Sequence, residues 1–263
     1  MKLVMMVLLT ASLLAAAAIH YYPDHLDRVF GMLPGSTLHD PPPPPATPEP
    51  DSETYETLKE SLAEWRAQLA QRHASANSDA ARREVLDDAR VLLESTLPAM
   101  MRCWLGTPWD FDGIASGPGG DGIACGYFVS TVLRDAGFRV HRYRLAQQPS
   151  ENIMRTFLPR SACKLTAGVD YDSFADALET AEPGIYIVGL DTHVGFVVVK
   201  GGEFRFIHSS GSRPWSVVDE SRADATVLRN SNWRMLGHLT SDREVLRKWL
   251  AGTTFPVHGR TAR

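Results

Sequence analysis

Two adjacent glycines, Gly201-Gly202, separate two runs rich in β-branched and aromatic residues: Val194-Gly195-Phe196-Val197-Val198-Val199-Lys200 before them and Glu203-Phe204-Arg205-Phe206-Ile207-His208-Ser209 after. Glycine tolerates the positive φ that a two-residue hairpin turn requires, so the segment predicts an antiparallel β-hairpin with a defined register. With the glycines as the turn, Lys200 faces Glu203, Val199 faces Phe204 and, counting outward, Gly195 faces His208. Side chains alternate along a strand, so His193 shares a face with Gly195 and lies diagonal to His208. Two imidazoles are thereby brought within reach of one another across a residue with no side chain. A slip of one residue would turn every side chain of one strand to the other face and separate them.

A second constraint lies in residues 106–137. Gly106-Thr107-Pro108-Trp109 leads to a glycine-rich loop, Ser116-Gly117-Pro118-Gly119-Gly120-Asp121, and then to Cys125-Gly126-Tyr127-Phe128-Val129. Phe128, Val129, Val132, Leu133 and Ala136 fall on one face at helical spacing, and Gly137 is the residue type expected just past a helix end. Cys125 is therefore expected in the first turn of a buried helix. There, unpaired N–H groups and the positive end of the helix dipole favour negative charge and lower a thiol's pKa. A lone cysteine on an apolar helix is more often a small packing residue. The histidine pair is what turns the reading toward a nucleophile.

Together these stretches resemble the NlpC/P60 family of papain-like cysteine peptidases. The resemblance is carried by Gly106-Thr107-Pro108-Trp109, by Cys125 at a helix start followed by Phe128-Val129, by Glu182-Pro183-Gly184-Ile185-Tyr186, by His193-Val194-Gly195 and by Phe206-Ile207-His208-Ser209, and it covers residues 103–239. It implies an α+β fold whose antiparallel sheet packs on the nucleophile helix. It also implies Cys125 as nucleophile, His193 as its base and His208 as the polar third residue that orients His193. The family usually has Asp-Cys-Ser-Gly where this chain has Ala124-Cys125-Gly126-Tyr127, and Tyr where it has Trp109. Because those neighbours line the family's substrate pocket, Trp109 and Gly126 are the substrate-side or oxyanion candidates. The Cys125 backbone N–H is the first oxyanion donor and the Trp109 indole N–H the second.

The chemistry so implied is acyl transfer: His193 takes the thiol proton, the thiolate attacks a carbonyl carbon, the imidazolium protonates the leaving amine, and water releases the acyl group. The expected function is an exported cysteine hydrolase, a thiol endopeptidase or amidase that cleaves amide bonds in peptidoglycan stem peptides of the cell wall. Two alternatives stand beside it. One is an acyltransferase or thioesterase using the same Cys/His pair, and the other a non-catalytic cell-envelope binding module whose working surface is a helical hairpin.

Composition narrows the partners. A net charge of −4 and a pI near 6.1 give no global attraction to nucleic acid, so no nucleic-acid partner is expected. Three cysteines do not make a disulfide framework; Cys103 with Cys163 as a pair, or both as buried thiols, are both open readings. Cys125, His193 and His208 lack Cys-x-x-Cys or His-x-x-x-His spacing, and Asp110, Asp112 and Asp121 lack a calcium-loop pattern, so neither metal nor cofactor is expected.

Along the chain, Lys2 precedes an apolar run at residues 3–19 that ends in small residues, the pattern of a secretory signal peptide or, in the second reading, an uncleaved membrane anchor. Either places the protein outside the cytoplasmic membrane, periplasmic or extracellular. Residues 20–51 read as a proline-rich linker acting as an extended spacer. Residues 52–100 read as a helical hairpin with stripes Tyr55, Leu58, Leu62, Trp65, Leu69 and Val85, Leu86, Ala89, Leu92, Leu93. It either offers a docking surface for a protein partner or, the commoner case, covers one side of the catalytic domain, and Pro98 marks its end before a short helix with Cys103 and Trp104.

The catalytic domain is expected over residues 101–252. Within it, residues 138–181 form a long excursion with Ser150 as a candidate helix cap and a short helix at 171–178. Its Arg139, His141, Arg142, Arg144, Arg155, Arg160 and Lys164 suggest either a basic lid for an acidic ligand or a solvated surface. Beyond the hairpin, a turn at Gly211-Ser212-Arg213-Pro214, strands at 215–218 and 233–239, and a capping box Ser241-Asp242-Arg243-Glu244 opening a helix ended by Gly252 complete the domain. His238 reads as structural, and residues 253–263 as a frayed tail.

Overall fold

The computed structural model describes residues 48–259. The expected leader at 1–19, most of the linker at 20–51 and the last residues of the tail lie outside the described residues. No described helix is long and apolar enough to cross a membrane.

Two long helices open the described chain, α1 (Ser52–Ser75) and α2 (Asp79–Arg102). Each begins on a side-chain cap: Asp51 accepts from Thr54 N at 2.9 Å and Ser78 from Ala81 N at 3.1 Å. Asp51 also donates its backbone N–H to Cys103 O at 2.8 Å, which ties the start of α1 to the turn after α2. Pro98 does not end the hairpin. Helix α2 runs through it to Arg102, and Cys103 and Trp104 follow in a turn. A proline inside a helix costs about 3 kcal/mol, but Leu97, Met100 and Met101 around it are fully buried, which offsets that loss.

The hairpin is not a separate module. Trp104 sits edge-on to Tyr55 of α1 at 5.6 Å and to Phe128 of the next helix at 5.9 Å, all three fully buried. Arg66 of α1 donates to Trp249 O at 2.8 Å near the other end of the chain.

The remaining elements are α3 (Cys125–Asp135), α4 (Arg142–Ala146), α5 (Ser150–Phe157), β1 (Cys163–Ala167), α6 (Tyr171–Glu179), β2 (Gly184–Leu190), β3 (Val194–Lys200), β4 (Glu203–Ser209), β5 (Val217–Glu220), α7 (Thr226–Asn230), β6 (Trp233–His238) and α8 (Arg243–Leu250). The protein is thus α+β. Its six strands form one antiparallel sheet in the order β1-β6-β2-β3-β4-β5. All of β2 is buried, as a central strand covered on both faces must be. On one face α3 packs on β3 and β4, with Phe128 against Phe196 at 6.0 Å. On the other, Tyr171, Phe174 and Leu178 of α6 meet Val197, Val199, Phe204 and Phe206.

Several boundaries differ from the sequence reading. The strand expected at 215–218 begins at Val217, because Trp215 takes φ 60° in the preceding turn. Ser150 is the first residue of α5, not its cap; its hydroxyl donates to Leu190 O at 3.3 Å. The last helix is capped by Asp242, which accepts from Glu244 N and Val245 N, in place of Ser241. The excursion at 138–181 supplies the edge strand β1, unforeseen, together with the expected helix α6. No disulfide joins Cys103 to Cys163: the first is fully buried after α2 and the second opens β1.

Candidate active site

The β3–β4 hairpin has the register expected of its two-glycine turn, from Lys200↔Glu203 to Phe196↔Ile207. Both turn glycines have positive φ, 64° and 80°. One step beyond the ladder, Gly195 lies against His208. A Cβ on Gly195 would come within 2.8 Å of His208 Cβ and 2.7 Å of the Phe206 ring, so only glycine fits without displacing them. Across this gap His193 and His208 meet with ring centroids 4.7 Å apart and planes nearly perpendicular, and His193 Nε2 lies 2.7 Å from His208 Nδ1. His208 is held flat on Phe206, centroids 4.0 Å apart.

A third group stands behind them that the sequence reading missed. His208 pairs with Val218 and Phe206 with Glu220 across β4–β5, so Glu220 is diagonal to His208 on the same face, and its Oε2 is 3.0 Å from His208 Nε2. The signal was present as an acidic residue in the next strand. Ending that strand at 218 left it out.

Burial sets the charges here. It pushes His208 down to about 3, and, with His208 alongside, pulls His193 well below the usual histidine range, so both rings are neutral at physiological pH. Burial pushes the Glu220 carboxyl up to about 7; Asp224 and Asp219 act in the same direction and Arg205 opposes them. The contact between His208 and Glu220 is therefore a hydrogen bond to a neutral imidazole and not an ion pair.

Cys125 opens α3 as expected. No side chain caps this helix, so its first N–H groups are open to whatever negative charge gathers there. The chain enters α3 beside the end of the hairpin: Ser209 on β4 donates its hydroxyl to Ile123 O at 2.6 Å. The Cys125 thiol interacts with the backbone N–H groups of Val194, Gly126 and Cys125 itself, and Val194 directly follows His193. Its titration is nevertheless opposite to expectation. Burial pushes the Cys125 thiol up, and the lowering by those three N–H groups does not overcome it. The resting pair is a protonated thiol and a neutral imidazole, so a base must act during attack. Among the described residues no hydrogen bond joins Cys125 to His193; the two share a wall of one cavity of about 320 Å³.

That cavity is bounded by Cys125, Gly126, Ala146, Gln148, Pro149, Ser150, Glu151, Ile153, Leu190, Asp191, Thr192, His193, Val194 and Trp233. Much of its wall comes from the excursion at 138–181, which brings α5 over the site. None of the seven basic residues singled out there lines it. Arg142 is buried, donating to Thr131 Oγ1 at 2.6 Å and to the carbonyls of Ile114 and Ala115, and the charged groups at the cavity are the carboxylates Glu151 and Asp191. Arg155 stands just outside the lining, 3.6 Å from the carboxylate of Glu151.

Gly126 lines the cavity and has a packing reason to be glycine, since a Cβ there would meet Ala146 O at 2.3 Å. Trp109 does not line it. Its ring lies 5.5 Å from Trp215 and against Gly211. His238 stacks on Tyr186 at 4.1 Å, remote from the nucleophile, in keeping with a structural role. Among the described residues no group of three or more His, Cys, Asp or Glu is placed to hold a metal ion.

Comparison with protein-family models, with curated proteins and with solved structures returned no match to this chain.

Proposed function

We propose that this protein is a cysteine hydrolase in which Cys125 is the nucleophile, His193 its general base and His208 the residue that orients His193, arranged as in papain-like enzymes of the NlpC/P60 type. The observation that carries this reading is the 2.7 Å contact between His193 Nε2 and Nδ1 of the wholly buried His208, with His193 lining the same cavity as Cys125. With Nε2 of His193 taken by His208, the nitrogen that acts as base in this reading is Nδ1. A neutral imidazole so placed takes the thiol proton as the sulfur attacks a carbonyl carbon, and returns it to the leaving amine. The uncapped first turn of α3 supplies backbone N–H groups for the oxyanion.

The proposed substrate is an amide bond of a peptidoglycan stem peptide, met outside the cytoplasmic membrane. Incubation of the purified protein with cell wall, followed by mass spectrometry of the released fragments, tests the assignment. New free amine and carboxyl termini that vanish with Cys125→Ala are expected. Intact wall together with transfer of an acyl group from an added ester would replace hydrolysis by acyl transfer.

A further inference from the structure

Proton position along the two imidazoles is dictated from their far end. His208 is wholly buried, and its two ring nitrogens are occupied, Nδ1 by His193 Nε2 at 2.7 Å and Nε2 by Glu220 Oε2 at 3.0 Å. A neutral imidazole has one N–H and one lone pair, so the direction of one of these hydrogen bonds fixes the other. An ionised Glu220 can only accept. His208 then carries its hydrogen on Nε2 and turns the Nδ1 lone pair to His193, which must donate from Nε2. The Nδ1 of His193 is left as a bare lone pair, the form that accepts a proton from a thiol.

Protonation of Glu220 reverses every donor. Its O–H donates to His208 Nε2, His208 donates from Nδ1 to His193 Nε2, and neutral His193 carries its hydrogen on Nδ1, which then has no lone pair to offer. We propose that Glu220 is a positioning residue that sets, through His208, which nitrogen of His193 can accept the thiol proton. This rests on His193 being the base of Cys125.

In the competent form the proton balance is local. The thiol proton moves to His193 Nδ1, the imidazolium keeps its Nε2–H on His208, and the same proton leaves with the departing amine, so Glu220 stays ionised and steadies the transient positive charge from behind. Several groups face Glu220. Asp219 lies next to it on β5 and is paired with Arg205 of β4 at 2.7 Å and with Arg102 of α2 at 2.6 Å. Asp224 approaches from the following turn, and Tyr171 from α6. Burial and the nearby carboxylates place the Glu220 titration at about 7, so the arrangement makes the site competent above neutrality and idle below it.

The test is the tautomer of His193 itself, read by two-bond ¹H–¹⁵N correlation NMR on the ¹⁵N-histidine-labelled protein between pH 5 and 9. The expected result is a hydrogen on Nε2 at high pH and on Nδ1 at low pH, with a midpoint near neutrality that Glu220→Gln abolishes. In parallel, the logarithm of the Cys125 alkylation rate should lose one unit of slope against pH below neutrality in Glu220→Gln. A His193 tautomer that does not change with pH in the unmodified protein overturns the proposal without recourse to any variant, and so does a midpoint that persists in Glu220→Gln. A protein that shows the tautomer change but hydrolyses no wall fragment would instead sink the hydrolase reading, leaving the role of Glu220 in setting the tautomer intact.

Discussion

Gly195 presses its backbone against His208 so closely that a Cβ at Gly195 would stand 2.8 Å from His208 Cβ. The pairing of His193 with His208 depends on that missing methyl, since Phe206 behind His208 is fully buried and has nowhere to retreat. Gly195→Ala is expected to destabilise the fold by about 1–3 kcal/mol through overpacking and to lower hydrolysis on the order of 100-fold through displaced rings. Urea denaturation and fragment release measure the two effects. Full activity in a folded Gly195→Ala protein would show that the ring contact does not matter to function.

Cys125 begins as a protonated thiol, pushed up by burial, beside a neutral His193. Its reactivity should therefore depend on the base more than on a preformed thiolate. His193→Ala is expected to reduce hydrolysis by about 10²–10⁴-fold, the range of a general base, with little change in KM. Iodoacetamide should label Cys125 ahead of fully buried Cys103 in the unmodified protein, and that lead should shrink in the variant. Equal labelling of Cys125 with and without His193 would dissociate the pair.

Much of this site is legible in the residues alone, and the reasons are local. A two-glycine turn fixes a register by counting, so the His193–His208 contact follows from arithmetic on residues 193–208. The helix at Cys125 follows from its apolar spacing. Glu220 escaped because Trp215 and Ser216 look like strand residues, yet Trp215 turns at φ 60° and the strand starts two positions later. The edge strand β1 escaped because Cys163-Lys164-Leu165-Thr166-Ala167, although it alternates apolar and polar residues, is only five residues long and none of them is buried. Pro98 misled because its local cost is overridden by tertiary burial of its neighbours. The raised thiol pKa was out of reach for the same reason: a helix start can be seen in sequence, but the depth at which it is buried cannot.

Trp104 ties the helical hairpin to the helix that carries Cys125, through edge contacts with Tyr55 and Phe128. Its removal leaves a void that three elements share. Trp104→Ala is expected to cost about 3–5 kcal/mol, and a chain lacking residues 48–103 should not fold, since loss of α1 and α2 would leave an apolar face of the remainder uncovered around Trp104 and Phe128. Circular dichroism melting of both proteins decides this. A truncated chain that melts cooperatively near the full-length temperature would make the hairpin an independent module.

Acid should unfold this protein earlier than its carboxylates alone would require. His193, His208 and His238 are all held neutral by burial, the last two with values lowered to about 3 and about 4, against about 6.5 for an exposed histidine. Below pH 6.5 the unfolded chain binds protons at these positions that the folded chain refuses, so stability is full above 6.5 and falls as pH drops toward 4. Each such histidine contributes a slope of about 1.4 kcal/mol per pH unit. Glu220 has the opposite sign. Raised to about 7, it stabilises the fold most below its unfolded value and loses that contribution as pH rises through 7, partly cancelling one histidine. The histidines outnumber it, so urea midpoints should decline steadily from pH 6.5 to 4.5. His238→Gln, whose site is away from Cys125, should make that decline shallower by about one proton's worth. An unchanged slope would mean that His238 gains its proton without unfolding.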